Sequence, residues 1–405
     1  MATLPIDDSR VQHTLWAYPW DILDDEAAPD EIAALGLGAV SLAASYHTTR
    51  AISPHDPRRA VVSARHAAVY FRPDLKRYAG IRLQPAEPSW VASDSFRIAA
   101  DALRAVGQRV IAWVVLLHNS RLGEANPDLT IENAFGDLYT YALCPAQPEV
   151  RAYAAALVSD LVSRYALDGI ELEACGYMGV EHLSHHDKSG MQLDLLHRFL
   201  FSICFCPACR LAMLEVQVDS ERVRASVAAE LRRYFEGTLT TIDDPEQVDV
   251  RLMEILGHDA WAGLMLARNG VTLRLLDAVK WEIGRRSIEV TLAAGSSAYE
   301  TGAAVGAALD GLTTRADGLL LPLFGMSDAR AQAHVRRMVQ GTAGEARLTV
   351  GLRAFMPDTS AGDQLRQATR RLVGIGVGGF RYYHYGLCPR PNLRWIADAA
   401  RPDMA

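Results

Sequence analysis

Short apolar segments rich in β-branched residues alternate with segments of helical periodicity along most of the chain, and this alternation constrains the fold more than any other feature. It is typical of βαβ units and a parallel sheet. Eight strand candidates occur, each followed by a helical pattern, and eight is the number of strands that closes a (β/α)8 barrel. They span residues 14–23, 39–47, 109–119, 168–174, 286–295, 318–325, 346–355 and 378–387.

The alternation stops between the fourth and fifth strands, where residues 176–285 have an almost wholly helical pattern. We predict that they form a helical insertion that partly covers the mouth of the barrel. A doubly wound open sheet, the other architecture for such a pattern, has a glycine-rich phosphate-binding turn after an early strand, and the early segment "AYPWDILDD" contains no glycine. The sequence therefore predicts an α/β fold: a single (β/α)8 TIM barrel over residues 1–405, with a helical insertion after strand four.

Composition and net charge indicate which classes of molecule this protein is expected to bind. Half of the 405 residues are hydrophobic and 22% are charged, as in globular proteins. The net charge of −7 argues against nucleic acid and anionic membranes, because neither attracts an acidic surface. The stretch "MATLPIDDSR" lacks the positive leader and apolar core of a signal peptide, and no apolar run is long enough to span a bilayer. We therefore expect a cytoplasmic protein that acts on a small molecule; a homo-oligomer is left open.

In (β/α)8 barrels the reactive groups gather at the carboxyl ends of the strands, where the loops converge above a rigid core. Most of the predicted strands end in polar or aromatic residues, which makes these residues the first candidates for a site. From strand one to strand eight they are Tyr18, Trp20, Asp21, Tyr46, His47, Arg50, His118, Asn119, Glu171, Glu173, Phe324, Arg353, Phe355, Tyr383, His384 and Tyr385.

Two of these candidates, Glu171 and Glu173, lie one residue apart within the apolar strand "DGIELEA". Side chains two positions apart point to the same side of a strand, so both carboxyls are expected to face the barrel axis. Neighbouring buried carboxyls raise one another's pKa, which keeps an acid protonated near neutral pH. We predict Glu173 as a general acid and Glu171 as its charged or hydrogen-bonding neighbour. The alternative for Glu171 is an interior ion pair with an arginine such as Arg353 or Arg381.

The stretch "CPAQPEVRAYAAALVSDLVSRYALDGIELEA" resembles a segment of glycosyl-hydrolase-like barrels, in which a Cys-Pro pair and a Pro-x-Val-Arg helix precede Asp-Gly-Ile and acidic residues. The segments "CFCPACR" and "YYHYG" are similar to segments of the same barrels. This resemblance implies a (β/α)8 fold and cleavage of a glycosidic bond. The strand also resembles the chitinase pattern Asp-Gly-x-Asp-x-Asp-x-Glu, with Asp168, Glu171 and Glu173 at its acidic positions. Cys175 stands where that pattern has its catalytic glutamate, which argues against chitinase-like chemistry.

A glycosidase normally needs two carboxyl groups. We predict hydrolysis of a soluble saccharide or glycoconjugate without a required cofactor, with Glu173 as the acid/base and Glu171 as its partner or the nucleophile. Asp21 and Asp187 are further candidates, and so is Glu181, because strands five to eight end without an Asp or Glu. The residues predicted to hold substrate hydroxyls or sugar faces are Trp20, Tyr46, His47, His118, Asn119, Arg353, His384 and Tyr385.

Two other functions remain open on the sequence. One is that of a metal-dependent barrel hydrolase, isomerase or epimerase. The histidines at strand ends and in the loop after strand four, together with Glu171 or Glu173, supply the ligand types that bind a divalent metal in such enzymes. A non-catalytic carbohydrate-binding barrel is the other, because a fold does not fix a function. The histidines concerned are His47, His118, His182, His185, His186 and His384.

The segment "CFCPAC" contains Cys204, Cys206 and Cys209 with the spacing of a zinc knuckle. Structural zinc takes four ligands, and only three cysteines are local. Cys175 or a histidine of "HLSHH" is a candidate for the fourth. The alternative is that these cysteines simply pack the apolar core of the insertion.

Overall fold

The computed structural model describes residues 11–181, 188, 190–237, 241–284 and 286–401. Eight parallel strands close into a barrel, because each strand pairs with the next and the last pairs with the first. Helices surround the barrel, so the predicted (β/α)8 fold is confirmed. The barrel strands are β1 (Gln12–Ala17), β2 (Ala39–Tyr46), β3 (Arg109–Val115), β4 (Gly169–Glu173), β5 (Glu289–Ala293), β6 (Gly318–Pro322), β7 (Arg347–Arg353) and β8 (Gly379–Tyr383).

Fourteen helices lie in the described part of the chain, and three short 3-10 turns at Leu75–Tyr78, Pro127–Leu129 and Tyr385–Leu387 accompany them. The helices are α1 (Pro19–Leu23), α2 (Ala28–Ala34), α3 (Ser95–Ala105), α4 (Ser120–Ala125), α5 (Pro148–Arg164), α6 (Leu195–Ser202), α7 (Pro207–Glu215), α8 (Ser220–Phe235), α9 (Pro245–Leu256), α10 (His258–Ile283), α11 (Leu309–Thr313), α12 (Asp328–Thr342), α13 (Gly362–Val373) and α14 (Arg390–Ala400).

The loops that follow the carboxyl ends of β2 and β3 contain short additional strands. Thr49–Ile52 pairs with Val61–Ala64, and Thr130–Glu132 pairs with Leu138–Leu143, each antiparallel. Ala68–Val69 adds to β2, also antiparallel. These hairpins lengthen two of the loops that border the barrel mouth.

All eight predicted strands are shorter in the structure than in the sequence analysis, and in three of them a helix, a helix cap or a turn replaces the predicted carboxyl end. Strand one was expected to reach residue 23, but Pro19 begins helix α1, where its missing N–H and fixed φ are favourable. Strand three was expected to reach Asn119, whose side chain instead caps α4 by accepting a hydrogen bond from the Leu122 N–H. The last strand ends at Tyr383, and a 3-10 turn follows.

Five helices, α6 to α10, lie between β4 and β5. Helix α10 packs along α5 on the barrel wall, and Leu172 of β4 lies against residues of α10 such as Leu276 and Val279. Residues of α6, α8, α9 and α10 build a second hydrophobic core, separate from that of the barrel, which includes Leu196, Phe199, Leu200, Val227, Leu231 and Leu252. The boundaries 176–285 for an insertion stay a prediction.

In the described ranges, no single helix has the length and apolar character needed to cross a membrane. Helices α6 and α7 pass that test only as a pair, and the pair bends by 103° at its break.

Candidate active site

Glu173 is the last residue of β4 and the only one in that strand that is not fully buried. Its Oε2 accepts a hydrogen bond from the indole N–H of Trp113 on β3, at 2.7 Å. Burial raises the pKa of Glu173 to about 7, the charge of Glu171 adds to this rise, and the Trp113 hydrogen bond opposes it. A carboxyl at the barrel mouth is therefore partly protonated at neutral pH.

Glu171 faces the same barrel interior but is fully buried and paired. The Arg381 Nε of β8 donates to its Oε2 at 2.8 Å, and the indole N–H of Trp16 donates to its Oε1 at 2.5 Å. Arg381 also donates to the Thr14 hydroxyl at 2.9 Å. The structure thus forms the ion pair with Arg381 that the sequence analysis gave as the alternative for Glu171. The other arginine considered there, Arg353, instead lies 3.5 Å from Asp358.

Three tyrosines meet beside Glu173: Tyr18 directly follows β1, and Tyr46 and Tyr383 are the last residues of β2 and β8. The hydroxyl of Tyr18 hydrogen-bonds with those of Tyr46 and Tyr383. Burial raises the pKa of each of the three, and the charge of Glu173 raises the pKa of Tyr46 and Tyr383 further. These phenols therefore stay neutral and present hydroxyl groups next to the carboxyl.

Three more aromatic rings, those of Trp16, Trp113 and Phe324, lie beside these three tyrosines. Trp113 lies 4.6 Å from Tyr46, Trp16 lies 5.6 Å from Tyr383, and Phe324 lies 5.1 Å from Tyr383, measured between ring centroids. Trp16 and Trp113 are buried, whereas Phe324 and Tyr383 are half-buried. The rings accessible at the mouth are therefore those of Phe324 and Tyr383. The Arg353 guanidinium lies 4.6 Å above Phe324.

An open cleft, here called the β5–β6 cleft, borders this aromatic group at the carboxyl ends of β5 and β6. Phe324 belongs to both, so the cleft borders the aromatic group, whereas Glu173 itself is not among the residues that line the cleft. Helix α6 contributes Arg198 to the cleft. Its other polar lining residues are Glu181, Tyr299, Glu300, Thr301, Arg330 and His334.

Glu300 is the residue of this cleft that the sequence analysis missed. It packs over Gly295 and Gly306, where a Cβ would overlap the Glu300 side chain or backbone, respectively. Its Oε1 lies 3.8 Å from Nδ1 of His334. Burial raises the pKa of Glu300, and the positive charges of Arg198, Arg330 and Arg337 oppose the rise. The sequence signal was the pair of glycines flanking an acidic residue in "GSSAYETGAAVG", seven positions beyond the end of β5.

Four predicted site residues, Trp20, Asp21, His384 and Tyr385, are buried beside β1 and β8 and do not reach the exposed cleft. Asp21 accepts a hydrogen bond from the Tyr18 backbone N–H at 2.8 Å, and its Oδ2 lies 3.7 Å from Nδ1 of His384. Burial raises the pKa of Asp21 to about 8, and it lowers the pKa of His384 well below its usual range. The Tyr385 hydroxyl donates to Glu31.

The remaining predicted residues lie at the ends of β2 and β3. The rings of His47 and His118 stack at 4.3 Å, and His47 also stacks on Tyr46 at 4.2 Å. Asn119 has its side-chain oxygen engaged in capping α4. His47 and His118 therefore stand next to the tyrosine group, whereas Asn119 has a local structural task.

Within the ranges that the structure describes, one group of at least three His, Cys, Asp or Glu side chains is close enough to hold a metal ion. It consists of Cys144, Cys204, Cys206 and Cys209. The strand-end histidines are not in such a group there. His182, His185, His186 and Asp187 lie outside the described residues.

No protein-family model and no curated protein matches the chain. Several solved structures share its fold. The glycoside hydrolase domain of PgaB (BpsB) from Bordetella bronchiseptica is 16% identical, with 96% of this chain and 99% of that chain covered and a TM-score of 0.58. The catalytic domain of β-amylase from Paenibacillus polymyxa is 11% identical, with the same coverages and a TM-score of 0.56.

A β-galactosidase from Marinomonas ef1 is 12% identical over 96% of this chain and 59% of that chain, with a TM-score of 0.53. At such identities the likeness shows a shared (β/α)8 fold, and function has to be argued from the site.

Proposed function

We propose that the protein hydrolyses a glycosidic bond in a soluble saccharide or glycoconjugate, with Glu173 as the acid/base. The observation that carries this proposal is the position of Glu173: a carboxyl with a pKa raised to about 7, at the mouth of a barrel, beside half-buried aromatic rings. A general acid works best when its pKa lies near the working pH. Glycosidase acids reach that range through the same combination of burial and a neighbouring carboxylate.

Glu171 is assigned the role of charged neighbour. Each of its oxygens already accepts a hydrogen bond, from Trp16 or Arg381, and the side chain is buried. An attacking nucleophile needs a free oxygen that can reach the anomeric carbon. Of the two roles predicted for Glu171, electrostatic partner and nucleophile, the packing favours the first.

Glu300 is our candidate for the second carboxylate. It lines the β5–β6 cleft, which shares Phe324 with the aromatic group around Glu173. The three arginines near Glu300 favour its ionised form. In the proposed reaction Glu173 protonates the leaving oxygen, while the second carboxylate attacks the anomeric carbon or activates water. Asp21 is less suited, because it is buried and already accepts a backbone hydrogen bond.

The accessible rings and charges fit a sugar. Phe324 and Tyr383 are half-buried at the mouth, and aromatic rings pack against the C–H groups of sugar rings. The hydroxyl of Tyr383 and the guanidinium of Arg353 supply hydrogen bonds for substrate hydroxyls. His47 and His118 add polar groups on the β2–β3 side of the mouth.

A non-catalytic carbohydrate-binding barrel is the second candidate. One observation favours it: in the described residues, the only carboxylate whose charge acts on Glu173 is Glu171, which is paired with Arg381. A metal-dependent hydrolase, isomerase or epimerase would have to draw its ligands from Glu171 or Glu173 and from the predicted histidines, which are His47, His118, His182, His185, His186 and His384. That third candidate has no ligand group among the described residues.

Replacing Glu173 by Gln tests the proposal. Wild-type protein is screened on aryl glycosides and oligosaccharides, and kcat/KM is measured for the best substrate. E173Q is expected to lower kcat/KM by about 10²–10⁴ while saccharide binding, followed by calorimetry, is retained, because positioned proton transfer is lost. Glu300→Gln is expected to lower it as strongly. The control Glu215→Gln changes an exposed carboxyl on α7 and should leave the rate unchanged.

Two outcomes would contradict the assignment. An E173Q rate within about tenfold of wild type would remove Glu173 as the acid, since general acid catalysis is worth more than that. Saccharide binding by a wild-type protein that turns over no glycoside would instead favour the binding barrel.

A further inference from the structure

Four cysteines from two distant parts of the sequence meet in one buried cluster. Cys204, Cys206 and Cys209 come from the segment that enters α7, and Cys144 directly follows the short strand Leu138–Leu143. All four are buried, and none is in a disulfide. The cluster joins the loop after β3 to the helices between β4 and β5.

The spacing of the sulfur atoms fits a single tetrahedral metal ion. The Cys144 Sγ lies 3.4 Å from that of Cys209, 3.7 Å from that of Cys206 and 3.8 Å from that of Cys204. All four Sγ atoms lie within 4.8 Å of one another. Four sulfurs placed about 2.3 Å from a central Zn²⁺ in tetrahedral geometry are about 3.8 Å apart. An iron–sulfur cluster would need room for its own iron and sulfide atoms between the cysteines.

Polar groups outside the cluster contact three of these sulfurs, and two of these groups are N–H donors. The Glu132 backbone N–H donates to the Cys204 Sγ at 3.4 Å, and the Gln147 amide donates to the Cys206 Sγ at 3.6 Å. The Tyr177 hydroxyl lies 3.4 Å from the Cys209 Sγ. Thiols are weak acceptors, whereas metal-bound thiolates are held by such hydrogen bonds. This arrangement fits sulfurs that carry negative charge.

A buried arginine supplies the matching positive charge. Arg268 of α10 lines the same small cavity as Cys204 and Cys209, and its guanidinium lies 4.1 Å above the Tyr177 ring. It donates to the backbone oxygen and hydroxyl of Ser202, at 2.9 and 3.1 Å. In the part of the chain described, no carboxylate forms an ion pair with it. An uncompensated buried cation is costly, whereas Zn²⁺ with four thiolates has a net charge of −2 that would balance it.

We propose that Cys144, Cys204, Cys206 and Cys209 bind one structural Zn²⁺ as thiolates. The four sulfurs fill all four positions, which leaves none open for water or substrate, as is usual for a structural site. The ion fastens the helices after β4 to the loop after β3. Through Tyr177 it also supports the loop that leaves Glu173, four residues upstream. Binding releases the thiol protons to solvent, so each bond formed is Zn–S and each bond broken is S–H.

Elemental analysis of the wild-type chain tests this proposal. The protein is purified from zinc-supplemented cells without chelator, and its metals are quantified by mass spectrometry. We expect about one zinc per chain, as a closed four-cysteine site requires. Cys206→Ser should lose most of this zinc, whereas Cys388→Ala, which changes a buried free cysteine outside the cluster, should keep it.

A cobalt substitution covers the case in which Cys206→Ser does not fold. Wild-type protein stripped with a chelator is titrated with Co²⁺, and the expected result is thiolate-to-cobalt charge transfer together with the visible bands of tetrahedral Co²⁺. These bands should saturate at about one equivalent. Three results would overturn the proposal. They are wild-type protein without stoichiometric zinc, wild-type protein that contains stoichiometric iron, and a Co²⁺ titration whose spectra lack thiolate bands. None of these readouts depends on glycosidase activity.

Discussion

Glu171 and Glu173 are the same residue type on the same face of the same strand, yet Glu171 is paired with an arginine and Glu173 has no positively charged partner among the described residues. In the barrel interior, here called the inner layer, Arg381 and Trp16 each donate a hydrogen bond to the Glu171 carboxylate, so the charge of Glu171 is neutralised and both of its oxygens are hydrogen-bonded. Arg381 also donates to the Thr14 hydroxyl. At the mouth, Glu173 has one indole N–H and a ring of neutral hydroxyls, and its pKa rises to about 7.

The difference shows how a barrel builds a reactive group next to a structural one. A buried carboxylate with an arginine partner stays charged and holds the strands together. A carboxylate without a countercharge holds its proton instead, and a group that exchanges a proton near neutral pH can do acid–base chemistry. A step of two residues along β4 separates the two cases.

Removing the countercharge from the inner layer should have the largest effect on stability. Arg381→Met leaves Glu171 buried without a partner, and we expect a loss of about 3–5 kcal/mol in the free energy of unfolding, measured by urea denaturation. The double variant Glu171→Gln/Arg381→Met removes both charges and should recover most of that loss. If the single and double variants were equally destabilised, the ion pair would not be what holds the inner layer.

A smaller effect is expected from removing the Trp113 hydrogen bond, which lowers the pKa of Glu173 at the barrel mouth. Burial and the Glu171 charge raise the pKa of Glu173, and the Trp113 N–H lowers it by favouring the charged form. Trp113→Phe should therefore raise this pKa further. Because the acid must be protonated, the high-pH limb of kcat/KM should move to higher pH. Trp16→Phe removes the matching bond to Glu171 and should move the limb less. A shift to lower pH in Trp113→Phe would contradict this reasoning.

The (β/α)8 fold could be predicted from the sequence, because eight apolar segments rich in β-branched residues are typical of a parallel sheet that is covered on both faces. The predicted strand ends differ from those in the structure. Pro19 begins a helix and Asn119 caps one, and both are local effects that override the apolar pattern. The period of two along β4 placed Glu171 and Glu173 together in the interior, and Arg381 was one of two arginines proposed as the partner of Glu171.

Partners that come from distant segments could not be predicted in this way. Trp113 is 60 positions from Glu173, and Cys144 is 60 positions from Cys204, so no local spacing connects them. Glu300 lies in a loop, where period and strand ends give no information. Aromatic residues at a strand end suit a sugar, but Trp20 lies in α1, where it stacks on Tyr18, and Tyr385 lies in the turn after β8, and both are buried.

Glu173 is expected to retain its proton to near neutral pH, and a carbon-13 NMR titration measures this without any substrate. Protein labelled at the glutamate side-chain carboxyl carbon is titrated from acid to neutral pH and beyond, and Glu173→Gln identifies the signal. We expect a titration midpoint near the raised pKa of about 7 for Glu173. A midpoint close to the ordinary glutamate value of about 4.3 would contradict it.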